Sequence, residues 1–199
     1  MNVFTKSTVC VLLLAAGAAF AQAKKANDDG SYAEVSYVRW NFKSDASSQS
    51  INPTGLRAIY GFGGDGLAYE AHLVLPLGAG SFTTVAGDDP DVPASVKVDT
   101  KITSLGLFAK LYTKASDDLE FYGRLGMSSI SSSSDLTATV TTSQATAKAS
   151  DKLSDKATAW GYGVGVKYKV GSSTSVVFDY TGYNKLSASS MGLGVAFAF

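Results

Sequence analysis

The sequence predicts an all-β protein: a closed eight-stranded antiparallel transmembrane β-barrel, with short turns at one end and longer loops at the other. In residues 191–199, large apolar side chains fall on every second position and small residues fall between them, which is the period of a β-strand. Further segments alternate in the same way, and their apolar faces carry no charge. Strands that span a membrane must close into a barrel, because lipid cannot satisfy the backbone groups of an open sheet edge.

Eight segments are predicted as strands, and most approach the roughly 9–11 residues that a tilted strand needs to cross a bilayer. In chain order they are Ser31–Trp40, Gly55–Phe62, Gly66–Leu77, Asp99–Thr113, Leu119–Ile130, Ala157–Val170, Ser175–Tyr183 and Ser187–Phe199. A soluble sandwich or a lipocalin-like barrel also alternates, but it would hide its apolar face and expose a charged one. The uncharged apolar faces therefore favour the transmembrane barrel.

The predicted connections alternate between short and long. The tight turns are Gly63–Asp65, Lys114–Asp118 and Gly171–Thr174, in which Gly and Asp supply the required dihedral angles. The longer connections are Asn41–Thr54, Gly78–Val98 and Ser131–Lys156, with a short fourth one at Asn184–Leu186. Short periplasmic turns and longer outer loops are typical of outer-membrane barrels, so both termini are expected on the periplasmic side. Ser131–Lys156 either forms a mobile loop or extends the flanking strands.

The inward faces of the predicted strands carry charged residues: Glu34, Arg57, Glu70, His72, Lys110, Glu120, Arg124, Lys167 and Asp179. Three base–acid pairs flank the tight turns, and residues at matched distances from a hairpin turn face each other. These predicted pairs are Arg57–Glu70, Lys110–Glu120 and Lys167–Asp179. Because an unpaired buried charge is strongly disfavoured, we expect an ionic network that fills the lumen and fixes the strand register. A gating or catalytic role is the less favoured interpretation.

Residues 1–23 predict a cleaved secretory signal peptide, and residues 24–199 the barrel domain. Lys6 provides a positive n-region, and the apolar run Thr8–Phe20 is too short for a transmembrane helix. Small-x-small motifs allow cleavage after Ala21 or Ala23. A membrane anchor is the alternative, disfavoured because the run is short and no stop-transfer pattern follows. The single cysteine, Cys10, lies in this segment, so no disulfide is expected in the mature chain.

Composition disfavours several classes of function. The 17 Lys and Arg residues balance 17 Asp and Glu residues, so no basic excess attracts nucleic acid. No nucleophile, base and orienting group converge around the single histidine, His72, so we expect no enzyme and no cofactor. One histidine and no mature cysteine offer little to a transition metal, and Asp88–Asp91 lacks the spacing of a dedicated calcium loop. Side chains about fill the interior of an eight-stranded barrel, which disfavours a wide pore.

The terminal strand resembles that of the small eight-stranded bacterial outer-membrane β-barrel family, which includes the OmpA membrane domain, OmpX-like proteins and opacity-type surface antigens. Gly194, Phe197 and Phe199 match the assembly signal of that family, which its barrel-assembly machinery recognises; Gly192 stands where the signal usually has a polar residue. The signal peptide, the eight strands and the polar lumen extend the resemblance over the whole mature chain.

The resemblance implies a location in the Gram-negative outer membrane after export through the signal peptide. It implies as partners the outer-membrane lipid and lipopolysaccharide, the barrel-assembly machinery and an extracellular ligand of the loops. Family members act as adhesins, surface antigens, envelope stabilisers or very small pores, and fold does not choose among these. We expect a non-enzymatic surface protein for loop-mediated adhesion or an envelope structural role; the alternatives are a small porin-like channel and, less favoured, a lipid A-modifying enzyme. No peptidoglycan-binding domain follows Phe199, so the anchoring role of OmpA is not expected.

Overall fold

A computed structural model describes residues 30–43, 50–85, 94–142, 145–184 and 186–199. Within these ranges the strands are β1 (Gly30–Lys43), β2 (Ser50–Ile51), β3 (Thr54–Gly64), β4 (Leu67–Gly78), β5 (Gly80–Val85), β6 (Ala94–Lys114), β7 (Leu119–Thr141), β8 (Thr146–Lys169), β9 (Thr174–Tyr183) and β10 (Ala188–Ala198). No helix in the described ranges is long and apolar enough to cross a membrane. The predicted signal peptide, residues 1–23, and the acidic segment Asp88–Asp91 lie outside the described residues.

Eight of these strands form a closed antiparallel ring in the order β1-β3-β4-β6-β7-β8-β9-β10. The last strand returns to the first in continuous register from Tyr32↔Ala198 to Phe42↔Ala188. The Phe199 amide extends this seam by donating to the Ser31 carbonyl at 2.9 Å. The predicted fold class and the closure by the final strand are therefore confirmed.

Alternation along each strand separates an apolar outer wall from a packed interior. Leu107 on β6 is 70% exposed, whereas the next residue, Phe108, is 4% exposed. The same contrast separates Leu125 from Arg124 on β7 and Phe178 from Asp179 on β9. Successive side chains point to opposite faces of a strand, so one set faces the outside and the other fills the lumen.

The first tight turn lies further along the chain than the sequence predicted. β3 runs to Gly64 and β4 begins at Leu67, which it opposes, so the hairpin turns at Asp65–Gly66 and not at Gly63–Asp65. Asp65 has a φ of 54° and Gly66 a φ of 84°. Two positive φ values at the centre of a two-residue loop define a type I′ turn, which matches the right-handed twist of the flanking strands.

The longer connections contain additional strand. β2 lies in the first and β5 in the second, while Ser131–Lys156 continues β7 and β8 to the pair Thr141↔Thr146. Of the two predicted alternatives for that segment, the structure shows extended strands. We call residues 80–85, 94–103, 131–141 and 146–158 the distal ribbon. It projects from the end of the barrel opposite the tight turns, because β8 has 24 residues where about 11 cross a bilayer.

Candidate functional site

The charged residues predicted for the lumen lie in the barrel interior. Those that are almost completely buried are Glu34, Arg57, Glu70, His72, Lys110, Arg124 and Asp179. Glu120 and Lys167 lie nearer the tight-turn end, and 13% and 24% of their side chains are exposed. Strand alternation alone accounts for this placement, because the neighbouring residues in sequence face outward.

Arg57 on β3 is the centre of the network. Its Nη1 donates to Asp179 Oδ1 at 3.0 Å, and its Nη2 donates to Asp179 Oδ2 and, at 2.9 Å, to Glu34 Oε1. Its Nε donates to Ser36 Oγ at 3.0 Å. The planar guanidinium therefore joins β3 to β1 and β9 by charge-assisted hydrogen bonds, the strongest kind available to a side chain.

Glu70 on β4 is the second centre. Tyr32 donates its hydroxyl to Glu70 Oε1, and His72 Nε2 lies 2.7 Å from Glu70 Oε2. Arg124 Nε lies 3.6 Å from the same oxygen, and Arg124 Nη1 lies 3.9 Å from Asp179 Oδ2. Arg124 thus links the two centres electrostatically, although its guanidinium has no hydrogen-bond partner among the described residues.

A third group of charges lines the mouth at the tight-turn end. Glu120 lies between two lysines, with Lys110 Nζ at 3.0 Å and Lys167 Nζ at 3.8 Å. Lys110 Nζ also stands 4.3 Å from the ring centre of Tyr122 and 5.0 Å from that of Tyr32. A cavity of about 200 Å³ opens here. The lysines are held by a carboxylate and by aromatic faces, which attract cations through their quadrupoles.

The structure corrects two of the three predicted pairs. Lys110–Glu120 is an ion pair, but Arg57 binds Glu34 and Asp179 in place of Glu70, and Lys167 pairs with Glu120 in place of Asp179. Arg57 lies opposite Val74, and Lys167 lies opposite Val177. Equal distance from the predicted turn therefore did not identify the residues that face each other across the two strands. In a narrow lumen, long side chains also reach strands that are distant in sequence.

Sequence reasoning missed an apolar plug between the ionic network and the distal ribbon. Its core residues are Val38, Trp40, Val74, Ile102, Phe108, Ile130 and Tyr183. Trp40 is 1% exposed and stacks on Tyr183 with ring centres 5.0 Å apart. The signal was present, because Val38 and Trp40 alternate in phase with Glu34. His72 marks the boundary, since its ring stacks on Phe108 at 4.3 Å.

The distal ribbon carries a second charged surface on its outer face. Alternation places there Lys97, Lys101, Lys148, Lys152 and Lys156 together with Asp99 and Asp135. Lys97 Nζ lies 2.8 Å from Asp99 Oδ2, and Ser81 also donates to Asp99. The hydrogen bonds from Lys97 and Ser81 lower the pKa of Asp99, which stays ionised. Lys152 Nζ lies 3.8 Å from Asp135 Oδ1.

One edge of this ribbon is open. β8 pairs with β9 only from Gly161 to Lys169, so residues 146–158 pair with β7 alone among the described residues. Exposed edges present unpaired backbone donors and acceptors to other chains, and lysines on such an edge discourage unwanted pairing. The described residues contain no group of three or more His, Cys, Asp and Glu side chains that could hold a metal ion.

A comparison with protein families decides between membrane and soluble barrels. A model of the outer membrane protein beta-barrel domain matches residues 9–199. The chain belongs to this outer-membrane barrel family. No curated protein matched the chain.

Solved structures of outer-membrane barrels share this fold. They include the attachment invasion locus protein Ail of Yersinia pestis (TM-score 0.55, 16% identity, covering 87% of this chain and 100% of that one). Neisserial surface protein A superposes with a TM-score of 0.54 at 16% identity, again over 87% and 100% of the two chains. OprG from Pseudomonas aeruginosa gives a TM-score of 0.56 at 10% identity, over 88% and 98%. At these identities the likeness concerns the fold alone.

The residues that match the assembly signal lie along the closing seam of the barrel. Gly194 and Phe197 are on β10, opposite Ser36 and Ala33 of β1. Gly192, where that signal usually has a polar residue, faces the lumen: a Cβ there would lie 2.7 Å from Arg57 Nη2 and 3.1 Å from Asp179 Oδ2. The ionic network therefore explains why position 192 holds no side chain. Recognition of Gly194, Phe197 and Phe199 by an assembly machinery stays a prediction.

Proposed function

We propose that this protein is a non-enzymatic surface protein of the Gram-negative outer membrane, exported through residues 1–23, whose distal ribbon faces outward and binds an extracellular ligand. The observation that carries the proposal is the ribbon itself, in which β7 and β8 remain paired from Ile130↔Ala157 to Thr141↔Thr146. Binding residues tend to lie on segments that a rigid scaffold positions, and the ring of strands is such a scaffold. Attachment is also the role in the name of Ail, one of the proteins that share the fold.

The filled lumen argues against transport as the main activity. Asp179 and Arg57 are 1% and 3% exposed, and Trp40 and Val38 close the interior between them and the distal ribbon. An ion would have to displace both a desolvated ion-pair network and an apolar plug, at a cost of several kcal/mol for the charges alone. The charged lumen therefore supports a structural role for these residues.

The test is a shortened ribbon displayed on a non-adherent Gram-negative host. Residues 134–153 are replaced by Asn-Gly, which closes a two-residue hairpin between Ser133 and Ser154, an existing pair. We expect several-fold lower attachment to host cells or matrix than the full-length protein gives. Equal attachment by both, with equal amounts of folded barrel in the outer membrane, would refute the proposal.

A matched control separates loss of the ligand site from loss of surface charge. The variant K148Q/K152Q keeps the full ribbon and removes two of the charges that the shortened variant lacks. Attachment near the full-length level would assign binding to the shape and backbone edge of the ribbon. A loss as large as that of the shortened variant would assign it to the lysines.

A further inference from the structure

The open edge of the distal ribbon has a defined backbone polarity. On the β9 side of β8, the Trp160 amide donates to Asn184 Oδ1 at 2.8 Å, and the Trp160 carbonyl accepts from the Asn184 amide at 2.9 Å. On the β7 side, the Lys169 amide donates to the Asp118 carbonyl at 2.8 Å. β7 and β8 keep one register along their whole paired length, and successive residues of an antiparallel strand turn their backbone groups to opposite sides. The even-numbered residues of 146–158 therefore turn theirs to the open edge.

Two aspartate side chains cap amides on this edge. The Lys152 amide donates to Asp151 Oδ1, and the Lys156 amide donates to Asp155 Oδ1, both at 2.8 Å. Both caps belong to the motif Ser-Asp-Lys, which occurs twice between residues 150 and 156. A carboxylate that accepts from the amide of its own neighbour competes with a backbone carbonyl for that donor. Each cap therefore occupies a hydrogen-bonding position that an added strand would need.

The spacing of the lysines limits how a second copy of the chain could pair with this edge. Lys148, Lys152 and Lys156 stand at every fourth position, with Ser or Thr at the outward positions between them. Backbone groups that face the edge must meet groups that face the edge, so an antiparallel partner can shift only by two residues at a time. Alternate registers then bring lysine opposite lysine, which is destabilising, or lysine opposite Ser or Thr.

One register of the second kind is centred on Asp151. It places Lys148 opposite Ser154, Lys152 opposite Ser150 and Lys156 opposite Thr146. No lysine faces a lysine in this register, so the edge is complementary to a second copy of itself. The caps oppose the pairing, because the bonds at Lys152 and Lys156 need the capped amides. The two Asp151 carboxylates would also meet at the centre.

The direction of β8 determines where that second copy lies. β8 begins at the tip of the ribbon and runs toward the barrel, so antiparallel pairing of two such edges puts the two barrels at opposite ends of a shared ribbon. Ribbons that leave the same membrane run side by side in one direction and cannot pair in this way. The contact would therefore join copies in two facing membranes.

We propose that the open edge of residues 146–158 is a contact surface for the same edge of a second copy in a facing membrane, and that Asp151 and Asp155 keep it closed. With both caps in place the barrel stays monomeric, and loss of the caps opens the edge to pairing. This inference does not rest on the proposed extracellular ligand, because it concerns two copies of the chain alone.

The test compares the sedimentation of refolded residues 24–199 in uncharged detergent micelles. The variant D151A/D155A removes both caps. We expect it to dimerise at least about tenfold more tightly than the wild type, because a wild-type dimer must break two caps in each copy. The matched control D99A/D135A removes two carboxylates from the outer face of the same ribbon and should behave like the wild type. A monomeric D151A/D155A, a dimeric wild type or a dimeric control would overturn the proposal.

Two further variants separate capping from charge and from misfolding. D151N/D155N keeps an oxygen acceptor at both positions without the charge, and it should dimerise more weakly than D151A/D155A. The Ser150 amide faces the open edge, so S150P removes an edge donor without breaking the ladder between β7 and β8. Added to D151A/D155A, S150P should restore the monomer. Equal dimerisation of the asparagine and alanine variants, or association that survives S150P, would refute the capped edge.

Cysteine cross-linking tests the register, since residues 24–199 contain no cysteine of their own. In the register centred on position 151, D151C/D155A brings the two introduced cysteines opposite each other. They form a non-hydrogen-bonded pair, in which the side chains lie close enough for a disulfide. D151A/D155C places its cysteine opposite Ala147 and should not cross-link. We expect a disulfide-linked dimer from D151C/D155A alone, and any other pattern overturns the proposal.

Discussion

Arg57 and Asp179 form a bidentate ion pair across the lumen, although 122 residues separate them in the chain. Both side chains are almost completely buried. Arg57 also holds Glu34, so two carboxylates from two other strands share one guanidinium, and Arg124 lies 3.9 Å from Asp179 as a second positive charge. Removing a single partner from a buried pair leaves an uncompensated charge, which typically costs more than the pair itself contributes.

We expect R57Q and D179N each to lower the free energy of unfolding by about 3–5 kcal/mol, or less where lumen water reaches the stranded charge. The double variant should lose less than the sum of the two, with a coupling energy of roughly 1–3 kcal/mol. Urea unfolding of the barrel refolded in lipid vesicles measures all three. The exposed pair Lys97–Asp99 provides the control cycle, K97Q with D99N, for which we expect a coupling of about 0–1 kcal/mol. Additive effects at Arg57 and Asp179 would contradict the network.

Gly192 should be intolerant of a methyl group for the same reason. A Cβ at this position would approach Arg57 Nη2 to 2.7 Å, and the guanidinium can move away only by giving up hydrogen bonds. We expect G192A to lower the free energy of unfolding by about 1–3 kcal/mol. Gly123 on β7 is the matched control, because a Cβ there meets nothing nearer than the Gly163 carbonyl at 3.8 Å. If G192A and G123A unfold at the same urea concentration, the close approach has no energetic weight.

Much of the fold could be predicted from the sequence because successive side chains of a strand point to opposite faces, so a residue's position in the strand tells whether it faces the lumen or the outside. Glu34, Glu70 and Asp179 were placed in the lumen by alternation, and they lie there. The partners of each charge could not be obtained in this way. They depend on strand register and on which strands face each other across the lumen, and neither appears in a local pattern. Arg57 was therefore assigned to Glu70 on the adjoining strand and is bound to Glu34 and Asp179.

The distal ribbon and the plug show two other limits. Residues 131–156 are rich in Ser, Thr, Ala and Lys, so their two faces differ little in polarity, and the alternation that marks a membrane strand is weak. The plug was not predicted because only the charged residues of the inward faces were considered, and Val38 and Trp40 were assigned to neither face. Val38 and Trp40 lie an even number of residues from Glu34, so strand alternation places them inside the barrel. An apolar layer there is consistent with close packing.

The turn at Asp65–Gly66 should be sensitive to the identity of its second residue. Gly66 has a φ of 84°, where a side chain introduces backbone strain. We expect G66A to lower the free energy of unfolding by about 1–2 kcal/mol. In the control G171A, the added Cβ lies 3.7 Å from Thr174 in the turn after β8, and stability should change by less than about 0.5 kcal/mol. Equal tolerance of both substitutions would argue against the type I′ turn.

Trp40 should contribute more to stability than a tryptophan on the outer wall. Its indole is 1% exposed and stacks on Tyr183 and Phe42, with ring centres 5.0 and 5.6 Å apart. Truncation leaves a cavity inside the plug, so we expect W40A to cost about 3–5 kcal/mol. Trp160 is 49% exposed on the outer wall, and W160A should cost less because lipid fills the space that it vacates.

In planar bilayers the wild type should show no steady conductance, because the plug and the ionic network lie one behind the other along the lumen. Steady conductance through the wild type would favour the channel interpretation and contradict a sealed lumen.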